Sequence, residues 1–268
     1  MYNIYDVFES MKNYQLELQY DRLIESCSVI DVICEESNDN KNMISKLIDS
    51  LKSILESINK WLTNLIRNFR EKYNKYTLFL KLHDMNSIAT KLKSSNCNVK
   101  VQMHEFSPIE SVQRAFKGDL KNMSKVIFNG NTRRNAYDKI LIYKAISGCF
   151  SEDELEPTIK YNFNIDDEPK TILLTDINFV TGVNYLLNGN KVLNELESYK
   201  QEIEDNINKK IKELEKAEEI NTKEITFMKE GIKIQQKYVS IFFTCLNKSV
   251  NDYYIVFKKM VEESKKIK

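Results

Sequence analysis

The sequence predicts a mainly α protein: two long antiparallel helical hairpins flanking a small α+β middle with a two- or three-stranded sheet. Three observations carry the prediction. First, residues 40–69 set apolar side chains in rows seven apart: Ile44, Leu51, Ile58 and Leu65; Leu47, Ile54 and Trp61, broken at Asn68; and Ile48, Leu55, Leu62 and Phe69. Such a stripe is broader than a two-row coiled-coil seam and suits a helix buried against several neighbours. Second, neither Pro nor Gly precedes Pro108, and all three prolines, Pro108, Pro157 and Pro169, lie in the middle third. The flanks are therefore free to form long helices, and the middle is where the chain turns. Third, the apolar residues of 98–106 and 158–163 alternate with period two, the mark of a half-buried strand. The implied divisions are an N-terminal helical hairpin over 1–95, the α+β middle over 96–174, and a coiled-coil-like C-terminal hairpin over 175–268.

The first hairpin follows from spacing and charge. Residues 3–36 carry Ile4, Phe8, Met11, Leu18, Leu23, Cys27, Ile30 and Cys34 near helical spacing, and the polar stretch 36–40 then reverses the chain. The second helix is expected over about 42–84. Residues 1–37 hold eight acidic side chains against Lys12 and Arg22, while 41–75 hold eight basic ones against Asp49, Glu56 and Glu71. Opposite charge and a short loop favour antiparallel pairing. Exposed ion pairs add only about 0–1 kcal/mol each, so burial of the stripe, about 1.5–3 kcal/mol per large side chain before entropy, dominates.

In the middle, Val99, Val101 and Met103 share one face of a predicted strand. Ser107-Pro108-Ile109-Glu110 is a capping box with proline at the first helical position, opening a helix to about Phe128 that must accommodate Gly118. A turn at Asn129-Gly130-Asn131 leads to a helix over 133–147 ending at Gly148. Ile159, Tyr161 and Phe163 align on a second predicted strand, and 171–174 is its expected hairpin partner across the turn at 166–169. In the last third, Thr175 is the expected cap of a helix starting at Asp176, which Gly189 would interrupt or kink. Leu193, Leu196, Ile203, Ile207, Ile211 and Leu214 then form a narrow stripe on a highly charged helix. Asn221-Thr222 marks a reversal into a final helix carrying Ile225, Met228, Val239, Phe242, Leu246, Tyr253 and Phe257, with a charged tail expected to fray.

Composition narrows the function. A formal net charge of +1 over 268 residues lacks the basic excess of a dedicated nucleic-acid binder. Five cysteines, Cys27, Cys34, Cys97, Cys149 and Cys245, show no metal or disulfide spacing and read as reduced core residues; His83 and His104 are the whole imidazole supply, which makes zinc improbable. No leader pattern is seen at the start, and no run approaches the roughly 18 apolar residues of a spanning helix. The chain reads as soluble or peripheral.

Catalytic constellations are not seen: no phosphate-binding glycine loop, no HExxH and no nucleophile elbow. His104 would need a partner from elsewhere in the chain to act as a base. His83, in KLHDM, suits a helix C-terminus or an interface. The acidic group Glu152, Asp153, Glu154 and Glu156, with Asp166 to Glu168 nearby, lacks a regular cation-ligand pattern, and Arg133-Arg134 reads as surface ion pairing. No catalytic residue, cofactor or metal is therefore expected. The residues singled out for interaction are Ile44, Leu51, Trp61, Leu65 and Phe69 on the broad stripe, and Tyr253, Tyr254 and Phe257, which would extend past the hairpin partner toward another subunit. The stripe around Trp61 also has the composition of an interfacial membrane helix.

The helix KNMISKLIDSLKSILESINKWLTNLIRNFREKY after an acidic first helix, and the segment INFVTGVNYLLNGNKVLNELESYKQEIEDNINKKIKELEK after a short hairpin, resemble uncharacterised virion structural proteins of large tailed bacteriophages infecting Firmicutes. The resemblance covers most of the chain as pattern. It implies a virion component inside or lining the head, present in the host cytoplasm during assembly, whose partners are itself or other virion proteins, with no active site. The expected function is thus non-enzymatic, helix-mediated assembly, with no specific nucleic acid. The alternatives are a membrane-associated amphipathic protein, or a ligand-binding or enzymatic module built on the α+β middle.

Overall fold

A computed structural model describes residues 15, 16, 18–22, 25, 40–129, 139–146, 155, 159, 160, 163 and 168–267. It is mainly helical with a small antiparallel sheet, as the sequence predicts. The elements are α1 (Asn40–Leu82), α2 (Met85–Ser94), β1 (Lys100–Met103), α3 (Ile109–Asn129), α4 (Ile140–Tyr143), β2 (Lys170–Leu173), a 3-10 turn (Leu174–Asp176), α5 (Phe179–Leu214) and α6 (Thr222–Lys266). They form two compact units, each drawn from three stretches. The first comprises Met1–Phe69, Asp119–Ile146 and Asn194–Lys237; the second comprises Arg70–Gly118, Ser147–Leu193 and Tyr238–Lys268.

In the first unit the predicted stripe is core. Leu47, Leu51, Ile54, Ile58 and Leu62 are fully buried, and Trp61 nearly so. Gln15, Leu16, residues 18–22 and Glu25 are helical, and this segment packs on α1 as the charge pattern suggests. The Tyr20 and Trp61 rings lie 5.7 Å apart, and Asn64 Nδ2 donates to Gln19 Oε1 at 2.9 Å. Helices α5 and α6 form the expected antiparallel hairpin here. Lys210 bonds Glu224 near the reversal, and Gln236 Nε2 donates to the Tyr199 hydroxyl at 2.6 Å deeper in. Helix α3 joins them: Gln235 Nε2 donates to Ser124 Oγ at 3.0 Å and to the Leu120 carbonyl at 3.3 Å.

In the second unit, β1 and β2 pair antiparallel with Lys100 opposite Leu173 and Met103 opposite Lys170. This corrects the expected hairpin of 158–163 with 171–174. Ile159, Lys160 and Phe163 are helical, and Leu155, Ile159 and Phe163 are all buried. Those three stand four apart, so a stretch that reads as period two also satisfies one face of a helix; short apolar runs do not separate the two. The 171–173 segment pairs instead with the strand at 100–103.

Several other boundaries move. The long helix stops at Leu82 because Asp84 caps a separate helix, accepting from Ser87 N at 3.1 Å and Ser87 Oγ at 2.7 Å. That helix, α2, ends where Asn96 takes a positive φ of 51° and Cys97 N bonds the Leu92 carbonyl at 3.1 Å, a Schellman closure. Thr175 lies in the 3-10 turn and caps nothing; Asn178 caps α5, with its Oδ1 accepting from Thr181 N at 3.1 Å. Helix α5 runs through Gly189 without interruption. The charged tail does not fray: α6 continues to Lys266, Val261, Glu263 and Ser264 are buried, and Lys91 Nζ donates to the Ile267 carbonyl at 2.8 Å. Most of the predicted first helix and of the predicted 133–147 helix, Cys27, Cys34, Cys149, Arg133-Arg134 and the acidic group except Glu168 lie outside the described residues.

Candidate interaction surface

Of the eight residues singled out for interaction, Leu51, Trp61, Leu65 and Phe69 are buried in the first unit, and Ile44 is half-buried. Tyr253 and Phe257, expected to reach past the hairpin, are buried in the second unit and covered by its own residues. The Tyr253 ring stacks 5.4 Å from Tyr185 and lies 5.7 Å from Phe106. Gly182 passes so close that an added Cβ would stand 2.5 Å from Tyr253 and 2.6 Å from Phe257. The hairpin partner reaches these rings because α5 runs unbroken through Gly189 back to Phe179, whose ring lies 5.7 Å from that of Phe257.

Tyr254, half-buried, is the exception. Its ring sits 4.5 Å from Tyr76 and 5.2 Å from Phe79 on α1. Lys75 Nζ and Lys258 Nζ lie 5.5 and 5.8 Å from its centroid. Burial raises the Tyr254 phenol above its ordinary range. Beside Phe79, the His83 ring packs at 4.6 Å and its Nδ1 meets the Phe79 carbonyl at 3.0 Å, at the helix C-terminus as the sequence suggests.

Several large apolar side chains of the second unit are exposed on α1, α5 and α6. Leu82 is 70 % exposed, Val180 66 %, Ile255 63 %, Leu78 57 % and Leu187 45 %. Leu78 and Leu82 are one helical turn apart on α1, and Val180 and Leu187 two turns apart on α5. A groove of about 510 Å3 runs between the two helices, lined by Leu80, His83, Met85, Phe179, Val183 and Leu187, with Lys81 and Asp84 among its polar members. Asp84 is engaged by Ser87, whose hydrogen bonds hold its carboxyl below the usual range. Among the described residues, Lys75, Lys81 and Lys258 are not paired with any carboxylate.

Comparison with protein-family models, with curated proteins and with solved structures gives no match. The reading of this surface therefore rests on its chemistry.

Two polar arrangements of the second unit join titratable side chains to distant partners. His104 Nδ1 lies 2.8 Å from Asp252 Oδ2, and the same oxygen accepts from His104 N at 3.4 Å. Asp252 is the distant partner the sequence could not name, and it orients the ring, which lies 6.1 Å from the Phe106 ring. Tyr185 donates its hydroxyl to the Ser107 carbonyl at 2.5 Å, which consumes the phenol in tying α5 to the start of α3. Burial pushes that phenol well above its ordinary range. Among the described residues, no three of His, Cys, Asp and Glu gather as a metal site, and no helix is long and apolar enough to cross a membrane.

These exposed side chains were missed in the sequence because Leu78, Leu82, Val180 and Leu187 each look like ordinary members of amphipathic helices. A signal was nevertheless present: Leu78, Phe79, Leu80 and Leu82 are too many apolar residues for one face, so one turn of α1 is oily nearly all round.

Proposed function

We propose that this chain is a non-enzymatic structural protein of a bacteriophage virion. It assembles through helix faces with copies of itself or with other virion proteins, needs no cofactor, and passes through the host cytoplasm on its way into the particle. The observation that carries the reading is the set of long helices α1, α5 and α6, whose apolar rows are mostly buried while Leu78, Leu82, Val180, Leu187 and Ile255 stay exposed. Apolar side chains presented along a helix are a recurrent mode of docking against another helix. The resemblance of the α1 and α5 segments to virion proteins supports the setting.

The membrane alternative draws less support. It requires the stripe at 44–69 to leave its packing, yet Leu47, Leu51, Ile54 and Ile58 are fully buried. Exposing each would cost about 1.5–3 kcal/mol, which the interface must return before any net binding.

The test is the protein composition of purified particles, paired with the variant Leu78→Asp/Leu82→Asp. The chain is expected in stoichiometric amount in wild-type particles and depleted from particles carrying the variant. A chain that is monomeric in solution and missing from particles overturns the proposal.

A further inference from the structure

We infer that Gln235 and Gln236 form a register lock in the first unit: they hold α6 at one position along α3 and α5, at a cost in stability. The inference does not depend on the assembly reading. Both side chains are fully buried, and each reaches a different neighbouring helix. Gln235 Nε2 donates to Ser124 Oγ at 3.0 Å and to the Leu120 carbonyl at 3.3 Å, so one amide spans a full turn of α3. Gln236 Nε2 donates to the Tyr199 hydroxyl of α5 at 2.6 Å. Ser124 and Tyr199 are themselves buried. Among the described residues, neither Gln235 Oε1 nor Gln236 Oε1 has a hydrogen-bond partner. A buried acceptor left without a donor is unfavourable, and apolar side chains of similar volume would fill the same space without that penalty. Stability is therefore not what the two amides supply.

What they supply is discrimination between registers. The rows around them are apolar and repetitive: Leu196, Ile203, Ile207 and Ile211 on α5 are buried, as are Ile225, Met228 and Ile232 on α6. Leucine and isoleucine rows a turn apart are nearly interchangeable, so a slip of one turn, about 5.4 Å, exchanges one apolar contact for another. The amides break that equivalence. A slip along α5 carries Gln236 from Tyr199 to Leu196 or Ile203, which stand one turn to either side, and leaves the phenol without its amide. A slip along α3 carries Gln235 from Ser124 toward the buried Ile127, one turn further on. Either way a buried donor loses its acceptor, and that penalty falls on the slipped state alone. A polar side chain inside an apolar helix interface is a recurrent means of fixing register while lowering stability.

The experiment uses the full chain with labelled Ile, Leu and Val methyl groups and compares it by NMR with Tyr199→Phe/Gln235→Met/Gln236→Met. Methionine is unbranched, apolar and adaptable enough to fill the space of each glutamine, and Ser124 keeps an acceptor in its own helix at the Leu120 carbonyl, four residues back. The wild type is expected to give one resonance for each methyl of Leu196, Ile203 and Ile232. In the triple variant a second set is expected at about a tenth or more of the total intensity, while the denaturation midpoint stays level or rises. With Gln235→Met as the sole change, Tyr199 and Gln236 remain, and the Leu196 and Ile203 methyls should return to one set. A single set in the triple variant overturns the inference and assigns the register to the close fit of Gly231, where an added Cβ would stand 2.5 Å from Ile127. A triple variant that has a lower midpoint or does not fold also overturns it, because the amides then act as ordinary stabilising bonds. So does a second set that survives the return of Tyr199 and Gln236.

Discussion

Nδ1 of His104, just past β1, lies 2.8 Å from Oδ2 of Asp252 in α6, a residue 148 positions further along the chain. The carboxylate bonds both the ring and the backbone N–H of the same residue, so the pair ties β1 to the last helix. Both side chains are largely buried, at 11 % and 22 % exposure. Asp252→Ala is expected to cost about 1.5–3 kcal/mol, the range for a hydrogen bond involving a charged group. His104→Ala should cost less after Asp252→Ala than before it, with a coupling of about 0.5–3 kcal/mol in a denaturant double-mutant cycle. Additive effects would show that the two side chains do not stabilise each other.

The neighbouring phenol predicts the alkaline limb of stability. Burial, with Asp252 beside it, pushes Tyr253 up to about 12, against about 10 in the unfolded chain. A raised acid keeps its proton in the folded state after the unfolded state has lost it. Its contribution is therefore complete below about pH 10 and declines as pH rises toward about 12, at up to about 1.4 kcal/mol per pH unit. Tyr253→Phe removes this term. Denaturation midpoints measured from about pH 8 to 11 should fall less steeply in the variant than in the wild type, and parallel slopes would refute the assignment.

Two helical glycines should respond in opposite directions to alanine. A Cβ at Gly189 would lie 1.9 Å from the Tyr73 ring, whereas one at Gly118 meets nothing within 4 Å. Gly189→Ala is expected to destabilise by about 1–3 kcal/mol through overpacking. Gly118→Ala should stabilise by about 0.5–1 kcal/mol, because alanine loses less backbone freedom in a helix. Thermal unfolding of the two single variants reads the sign directly, and a stabilised Gly189→Ala would mean that Tyr73 does not hold its place.

Burial on α1 sets a third contrast. Trp61 is 2 % exposed and Leu82 70 %. Trp61→Ala should lose about 3–5 kcal/mol, while Leu82→Ala should stay within about 0.5 kcal/mol, as for surface positions. Comparable losses at the two sites in chemical denaturation would contradict the packing of this helix.

Local rules made much of the fold legible. The absence of Pro and Gly before Pro108 and the rows through Leu51 and Trp61 announce α1 within two residues of its start. Ser107-Pro108 places the start of α3, and Asn221 places that of α6, where its Oδ1 accepts from Glu224 N at 3.3 Å. Capping and periodicity involve residues a few positions apart, so the sequence alone suffices for them. Strand pairing does not work that way. β1 finds β2 across some seventy residues, and in the segment that looked like the nearer partner Ile159, Lys160 and Phe163 are helical, with Leu155, Ile159 and Phe163 all buried.

The same division separates what the sequence determined from what tertiary structure decided about the surface. Composition and spacing were enough to say that this chain is built of long amphipathic helices whose oily rows must be covered. Which rows the chain covers itself was settled only by packing: Tyr253 and Phe257 are closed over by Gly182, while Leu78 and Leu82 remain open. A helix propensity acts residue by residue along the chain, but exposure depends on which distant helix arrives on each face, and no local pattern carries that information.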